Sequence, residues 1–176
     1  LRRESRFGLS LCLDAIRQVG NHADFDVVRQ TLNKLAIAKG QQIQGKAIAN
    51  NLNFGLVCFS NTESSNALFK IKCQTDFALR SSEVGELSKV IGKSICNKSD
   101  YTELLLMSVC RLNEPFAVVP MLTWPVQSDE HAAHYVHQPH EANDKAGQRI
   151  SYVSIQAPGI TKESFKTALR HVAMHA

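Results

Sequence analysis

The sequence predicts an α+β protein, in which an N-terminal three-helix domain precedes two related units that each consist of an antiparallel hairpin and a helix. Two patterns carry this prediction. Leu68 to Cys73 alternates apolar and polar side chains, which is typical of a half-buried strand. Val84, Leu87, Ile91 and Ile95 then recur at helical spacing. The same order of hairpin and helix recurs towards the C-terminus, so we expect two related halves.

Composition indicates an ordinary globular chain. Its 176 residues are 44% hydrophobic and 20% charged, enough for one domain or two small ones. No run of about 18 apolar residues occurs, so no membrane-spanning helix is predicted. The formal net charge is +4, but apart from Arg2-Arg3 the basic residues are scattered. A nucleic-acid surface is therefore only weakly indicated.

The five cysteines are an odd number, widely spaced and without a Cys-x-x-Cys pair. This pattern favours reduced, buried thiols over a disulfide framework or a zinc site. The first residue is Leu and not Met, which is compatible with a processed or trimmed chain.

Residues 1–40 are predicted to form the helical domain. After a short basic segment that is broken at Gly8, Ser10 is a candidate N-cap for a second helix. Asp24 is a candidate N-cap for a third helix, which Gly40 should end. Three short helices bury little apolar area, so this domain needs to dock on the rest of the chain.

The polar residues 41–53 are expected to form a linker. The first α+β unit, residues 54–100, then begins with the apolar strand Phe54–Phe59, which should pair with Ala67–Cys73 across a turn. The helix Ser82–Ile95 follows and is expected to pack its apolar stripe on this hairpin.

The second unit, residues 101–176, is predicted to repeat this order. Its expected elements are a helix at Thr102–Leu112, an edge strand at Ala117–Trp124 interrupted by Pro120, strands at His134–His137 and Arg149–Ile155 joined by the loop Gln138–Gln148, and a last helix capped by Thr161. The inner face of that helix is predicted to consist of Phe165, Leu169, Val172 and Ala173.

A junction between strand and helix lies at Thr75-Asp76-Phe77. Thr75 and Asp76 carry side-chain oxygens that can accept hydrogen bonds from the free N–H groups of a helix start. Phe77 precedes Val84 by two helical turns, so composition and spacing alone favour a buried anchor of the core. The alternative is an aromatic side chain that is presented for binding.

The segment Cys73-Gln74-Thr75-Asp76-Phe77-Ala78-Leu79-Arg80 resembles the Cys-Glu-Thr-Asp-Phe-Val-x-Arg signature of the elongation factor Ts family. Further segments resemble the family in the same order along the chain. They are Leu1 to Ile16, Leu112-Asn113-Glu114, His134-Tyr135-Val136-His137 and Arg170 to Ala176. The chain is therefore identified as a divergent member, and its basic pI, its extended second hairpin loop and the lack of a coiled-coil insertion favour the mitochondrial type.

The resemblance implies a ubiquitin-associated-like fold for residues 1–40. It also implies a guanine nucleotide exchange factor that promotes GDP release from mitochondrial elongation factor Tu in the mitochondrial matrix. Such a factor has no catalytic chemistry of its own, and no catalytic residue, small-molecule substrate, cofactor, metal or membrane contact is expected.

The same resemblance implies the partner-binding residues. Phe77 corresponds to the aromatic side chain that family members insert between helices of elongation factor Tu near its magnesium site, with Asp76, Thr75 and Arg80 beside it. Contacts to the nucleotide domain are expected from Gly8, Leu9, Ser10 and Leu11, and a contact to the distal β-domain from His137. Gln74 replaces the family's Glu, and Ser5-Arg6 replaces Thr-Gly.

Alternatives remain open. A divergent member could be a structural or scaffold subunit of an organellar (mitoribosomal) assembly without exchange activity. RNA binding would require a clustered basic face. The histidines at 131, 134, 137 and 140 recur every third residue, but Pro139 and strand geometry disfavour a shared metal site.

Overall fold

The computed structural model describes residues 1–20, 24–46, 52–159 and 162–176. In these ranges the chain forms α1 (Arg2–Ser5), α2 (Leu9–Val19), α3 (Phe25–Lys46), β1 (Phe54–Asn61), β2 (Ser65–Cys73), α4 (Asp76–Arg80), α5 (Ser82–Asn97), α6 (Thr102–Leu112), β3 (Phe116–Pro125), β4 (Glu130–His140), β5 (Asn143–Gln156) and α7 (Lys162–His175). The mixed α+β class predicted from the sequence is confirmed.

The described strands form one antiparallel sheet in the order β3-β2-β1-β5-β4. The two hairpins, β1–β2 and β4–β5, meet through a short pairing of Val57 with Gly147 and of Cys58 with Ala146. β3 crosses over from the second half to pair with β2. The two predicted units therefore share one sheet, and β3 ties the second half to the first hairpin.

The second hairpin differs from the prediction. The segment Gln138–Gln148 was expected to be a loop, but β4 continues to His140 and β5 begins at Asn143, so the turn is only Glu141-Ala142. Pro139 is tolerated because β4 is an edge strand, and the register shifts between Pro139 and His140. The edge strand that was predicted from Pro120 is confirmed, because Pro120 lies in β3 at the opposite edge of the sheet.

The main core lies between α5 and the centre of the sheet. Its fully buried members share an apolar or weakly polar character; they include Cys58, Phe69, Ile71, Val84, Ile91, Val109, Phe116 and Ala146. The predicted stripe of α5 is thus confirmed at Val84, Leu87 and Ile91, because all three are buried against β1 and β2.

The helical segment has a second core, formed by Phe7, Cys12, Ala15, Val28 and Leu32 among others. Two predicted boundaries were wrong. Gly8, and not Ser10, occupies the N-cap position of α2, and Ser10 lies within its first turn. Helix α3 continues past Gly40 to Lys46, so the start of the expected linker is helical, and residues 47–51 lie outside the described residues.

Gly40 is a contact residue and not a helix stop. A Cβ atom placed on it would lie 2.2 Å from the backbone oxygen of Leu106 in α6, closer than any side chain can approach. Glycine therefore allows α3 and α6 to cross at close range. This contact supplies the docking that three short helices need.

Arg111 in α6 strengthens the same docking. Its Nε donates to the carbonyl oxygen of Ser5 at 3.1 Å, and its Nη1 lies 2.6 Å from Oε1 of Glu83. The guanidinium carbon also lies 4.8 Å from the centre of the Phe7 ring. One side chain thereby connects the N-terminal segment, α5 and α6.

Helix α7 covers β4 and β5. Leu169 and Ala173 are buried there, as predicted, and Oγ of Ser151 donates to the carbonyl oxygen of Ala173 at 2.5 Å. Val172 was predicted to face inward, but the prediction is wrong, because its side chain is 53% exposed. The expected cap, Thr161, lies outside the described residues.

Among the described residues, no helix has both the length and the apolar character that a bilayer crossing requires.

Candidate partner-binding site

The turn between β2 and α5 is built by a side-chain cap. Thr75 has an extended backbone (φ −122°, ψ 148°), and its Oγ1 accepts a hydrogen bond from the N–H of Ala78 at 3.1 Å. Asp76 is the first residue of α4, and its Oδ2 lies 3.0 Å from Nη2 of Arg80. This ion pair is exposed, so it contributes only about 0.3–0.5 kcal/mol.

Phe77 points away from the protein. Its side chain is 86% exposed, whereas the next residue, Ala78, is 2% exposed and anchors α4 to the core. The alternative in which Phe77 continues the buried stripe of α5 is therefore wrong. Burying a side chain of this size would gain about 1.5–3 kcal/mol, and the fold of this chain leaves that gain unused.

Glu114 holds the start of the turn. Its Oε1 accepts from the backbone N–H of Thr75, and its Oε2 accepts from the hydroxyl of Thr75, both at 2.6 Å. The side chain is almost completely buried, between α6 and β3. A carboxylate that accepts two short hydrogen bonds from one residue fixes both the backbone and the rotamer of that residue.

His140 holds the end of the turn. Its Nδ1 accepts from the backbone N–H of Ala142 at 3.1 Å, which assigns the ring proton of the neutral form to Nε2. Nε2 then donates to the carbonyl oxygen of Leu79 at 3.1 Å. The tip of the second hairpin is thereby connected to α4.

Cys73 lies at the base of the turn, where its Sγ donates to the carbonyl oxygen of Thr75 at 3.2 Å. Burial, with a further contribution from the charges of Glu114 and Asp76, raises the pKa of the Cys73 thiol to about 11. The thiol is protonated at neutral pH and is not a nucleophile there.

A cavity of about 480 Å³ lies between α4 and the tip of the second hairpin. Its walls include Asp76, Leu79 and Arg80 on one side and Pro139 and His140 on the other. The His140 hydrogen bond joins the hairpin to α4 beside this cavity, which Asp76 also lines.

The other predicted contact residues lie elsewhere. At the start of α2, Gly8, Leu9 and Ser10 are exposed, and the Leu9 side chain is 54% exposed. Leu11 is buried in the core of the helical segment, beneath this surface, and its contact with a partner stays a prediction. His137 is exposed on β4, three residues before His140.

The four regularly spaced histidines have different surroundings. The His131 ring packs on Phe165, with 5.9 Å between centroids, and the His134 ring lies 4.9 Å from Phe59. Within the described ranges, no three His, Cys, Asp or Glu side chains converge in a way that could hold a metal ion.

Sequence reasoning did not assign a role to Glu114 or His140. Glu114 was noted only as part of Leu112-Asn113-Glu114, and His140 only as part of the histidine pattern. A glutamate that follows a helix, directly before a proline, gives no local sign of burial. Its partner is 39 residues away in the sequence.

Two proteins named elongation factor Ts are similar to the chain. The chloroplastic protein of Phaeodactylum tricornutum is 29% identical over 116 residues, which cover 65% of this chain and 54% of that protein. The protein of Shewanella woodyi is 24% identical over 185 residues, which cover 99% of this chain and 56% of that protein. The chain is similar to elongation factor Ts. It spans about half the length of these curated relatives. No protein-family model matches.

Proposed function

We propose that this chain is a guanine nucleotide exchange factor of the elongation factor Ts type, which promotes GDP release from elongation factor Tu and has no chemistry of its own. The similarity to two proteins of that name supports an elongation factor Ts-like function. The observation that carries the exchange role is the exposed Phe77 on a turn whose Thr75 is fixed by a buried carboxylate.

The mechanism follows from how a GTPase holds its nucleotide. Backbone N–H groups and a magnesium ion bind the phosphates, so displacing the elements that position the ion weakens GDP binding. Phe77 is the proposed wedge, because an apolar ring inserted between packed helices moves them as units in a dense interior. Each 1.4 kcal/mol of weakening corresponds to about tenfold in affinity.

Linkage makes the factor reusable. A protein that lowers the affinity of its partner for GDP must itself bind the empty partner more tightly than the loaded one. Incoming GTP therefore releases the factor. Asp76 and Arg80 flank the wedge as polar contacts, while Gly8, Leu9, Ser10 and His137 are proposed as secondary contacts.

The organellar setting is part of the proposal. The chloroplastic relative supports an organelle, and the basic pI of about 8.9 favours the mitochondrial matrix and mitochondrial elongation factor Tu. The extended hairpin loop no longer supports that choice, because this segment is part of two strands.

The test is release of fluorescent GDP from mitochondrial elongation factor Tu, measured with increasing concentrations of the chain. We expect the wild type to accelerate GDP release. In Phe77→Ala the acceleration should be at least about tenfold smaller, and a tenfold change corresponds to about 1.4 kcal/mol. Met121→Ala is the matched control, since Met121 is also apolar and 59% exposed but lies on β3. It should behave as the wild type.

The outcomes separate the candidate functions. An active wild type with an equally active Phe77→Ala variant would show that Phe77 is not the wedge. A wild type that binds elongation factor Tu without accelerating release would favour a scaffold subunit of an organellar assembly, the second candidate.

A further inference from the structure

The turn that presents Phe77 is attached to the rest of the protein at both ends by side chains from the second half of the chain. We propose, resting on the function proposed above, that Glu114 and His140 are positioning residues that hold α4 in one orientation and so direct Phe77 towards the partner. Neither residue needs to contact the partner for this role.

Glu114 is suited to this role because its own position is fixed. Phe116, two residues later, is fully buried. The side-chain amide of Gln44 pairs with the backbone of Phe116, donating from Nε2 at 2.5 Å and accepting at Oε1 at 3.2 Å. The segment that carries Glu114 is therefore held between α3 and the sheet, and the carboxylate transmits this rigidity to Thr75.

His140 acts at the opposite end of α4. The last carbonyl groups of a helix have no partner within the helix, and His140 supplies one to Leu79. Gly85 allows the hairpin tip to come this close. A Cβ on Gly85 would lie 2.6 Å from Cβ of Ala142 and 2.7 Å from Cε1 of His140.

Helix α4 needs these contacts because it is too short to be stable by itself. It has five residues, and isolated helices are marginal even at more than twice that length. Within the turn, the exposed Asp76–Arg80 pair adds little stability, and the Thr75 cap forms only while the Thr75 side chain keeps its rotamer. A frayed turn would have to be reordered during binding, which lowers the productive fraction of encounters.

The first experiment measures mobility in the free chain. Phe77→Cys places one exposed thiol in a protein whose five cysteines are buried, so a nitroxide label should attach at position 77 alone. We expect a restricted spectrum in this parent. Adding Glu114→Ala or His140→Ala should produce a clearly more mobile spectrum.

Two further variants serve as controls. Glu114→Gln keeps one oxygen that can accept from the N–H of Thr75, so its label should be intermediate in mobility. Glu130→Ala removes a carboxylate that accepts from the hydroxyl of Tyr152, away from the turn, and should leave the label unchanged. If Glu114→Ala fails to fold, Glu114→Gln and His140→Ala decide the outcome, because both variants leave the side-chain cap of Thr75 in place. Unchanged mobility of the label in the Glu114 and His140 variants would overturn the proposal.

The second experiment uses GDP release with Phe77 intact. Misplacing a contact group by a small distance can reduce a rate about a hundredfold, and we expect a loss of about tenfold for Glu114→Ala, with partial recovery in Glu114→Gln. More mobile labels with undiminished release in an active protein would overturn the positioning role alone. An inactive wild type would overturn the proposed exchange function, while the spectra would still decide whether the two residues hold the turn.

Discussion

The two hairpin-and-helix units of this protein bury their helices to different depths. In the first unit, α5 lies over the central strands and buries Val84, Leu87 and Ile91. In the second, α7 covers β4 and β5 and buries Leu169 and Ala173, whereas Val172 and Met174 are about half exposed. The first unit is a core, and the second is closer to a covering layer.

The turns that precede α5 and α7 also differ. The first presents Phe77 and is fixed by Glu114 and His140. The second begins with Ala157-Pro158-Gly159 and carries no aromatic side chain in these residues. A binding group is most useful where its support is most rigid, and Phe77, the proposed contact residue, lies on the more deeply buried unit.

The comparison predicts unequal losses of stability when each helix loses a core side chain. Ile91→Ala should lower the free energy of unfolding by about 4 kcal/mol, because Ile91 is completely enclosed, and Leu169→Ala by about 2 kcal/mol. Urea denaturation monitored by circular dichroism measures both. Equal losses would contradict the difference in depth.

The helix that supports Glu114 through Gln44 offers a sharper test. Gly40→Ala should destabilise the protein by about 1–3 kcal/mol, because the new methyl group meets the backbone of Leu106. Gly45→Ala, in the same helix but with no atom near its Cβ position, should stabilise by about 0.5–1 kcal/mol. A similar effect of both substitutions would mean that α3 does not approach α6 as described.

Thiol reactivity reports on the rigidity of the first unit. Burial raises the pKa of Cys58 to about 12, so only about one thiol in 10⁴ is ionised at pH 8. We expect the native protein to react very slowly with a thiol reagent and all five cysteines to react in denaturant. Rapid modification of Cys58 or Cys73 without denaturant would indicate local opening of this unit.

The smallest effect is expected from acid in the second unit. Burial, assisted by the charge of Lys145, lowers the pKa of folded His134 below its ordinary 6.5. The unfolded chain therefore binds more protons in this window, and the stability present above pH 6.5 is lost as the pH falls towards the folded pKa.

Urea midpoints at pH 7.5 and pH 5 measure this loss. His134→Phe keeps an aromatic ring beside Phe59 but removes the titrating group, so its midpoint should fall less between the two values. An identical decrease in both proteins would assign the pH dependence to other groups.

Local patterns predicted the elements well where packing and pattern agree. The helix Thr102–Leu112 has the predicted bounds, and Pro120 correctly indicated an edge strand. The errors occurred where a residue has two uses. Glycine ends helices in many proteins, but Gly40 lies within α3 and allows its close contact with α6. Pro139 was expected in a loop but lies in an edge strand.

Part of the candidate site could also be predicted from the sequence, and part could not. Thr75 as a cap followed from its position at a strand end, and the resemblance to a family signature drew attention to Phe77. The exposure of Phe77 decided against the core position that spacing alone favoured. Whether Phe77 contacts elongation factor Tu stays a prediction until GDP release is measured.

The sequence by itself determined the period of α5 and α6, the short-range cap at Thr75 and the absence of a disulfide pattern, because these depend on neighbours a few residues apart. Tertiary structure alone decided that both hairpins share one sheet, that Glu114 and His140 hold opposite ends of the turn around α4, and that Phe77 remains in solvent. Hydrogen bonds between residues 39 and 61 positions apart leave no periodic trace in a sequence, since chain folding, and not local geometry, brings their atoms together.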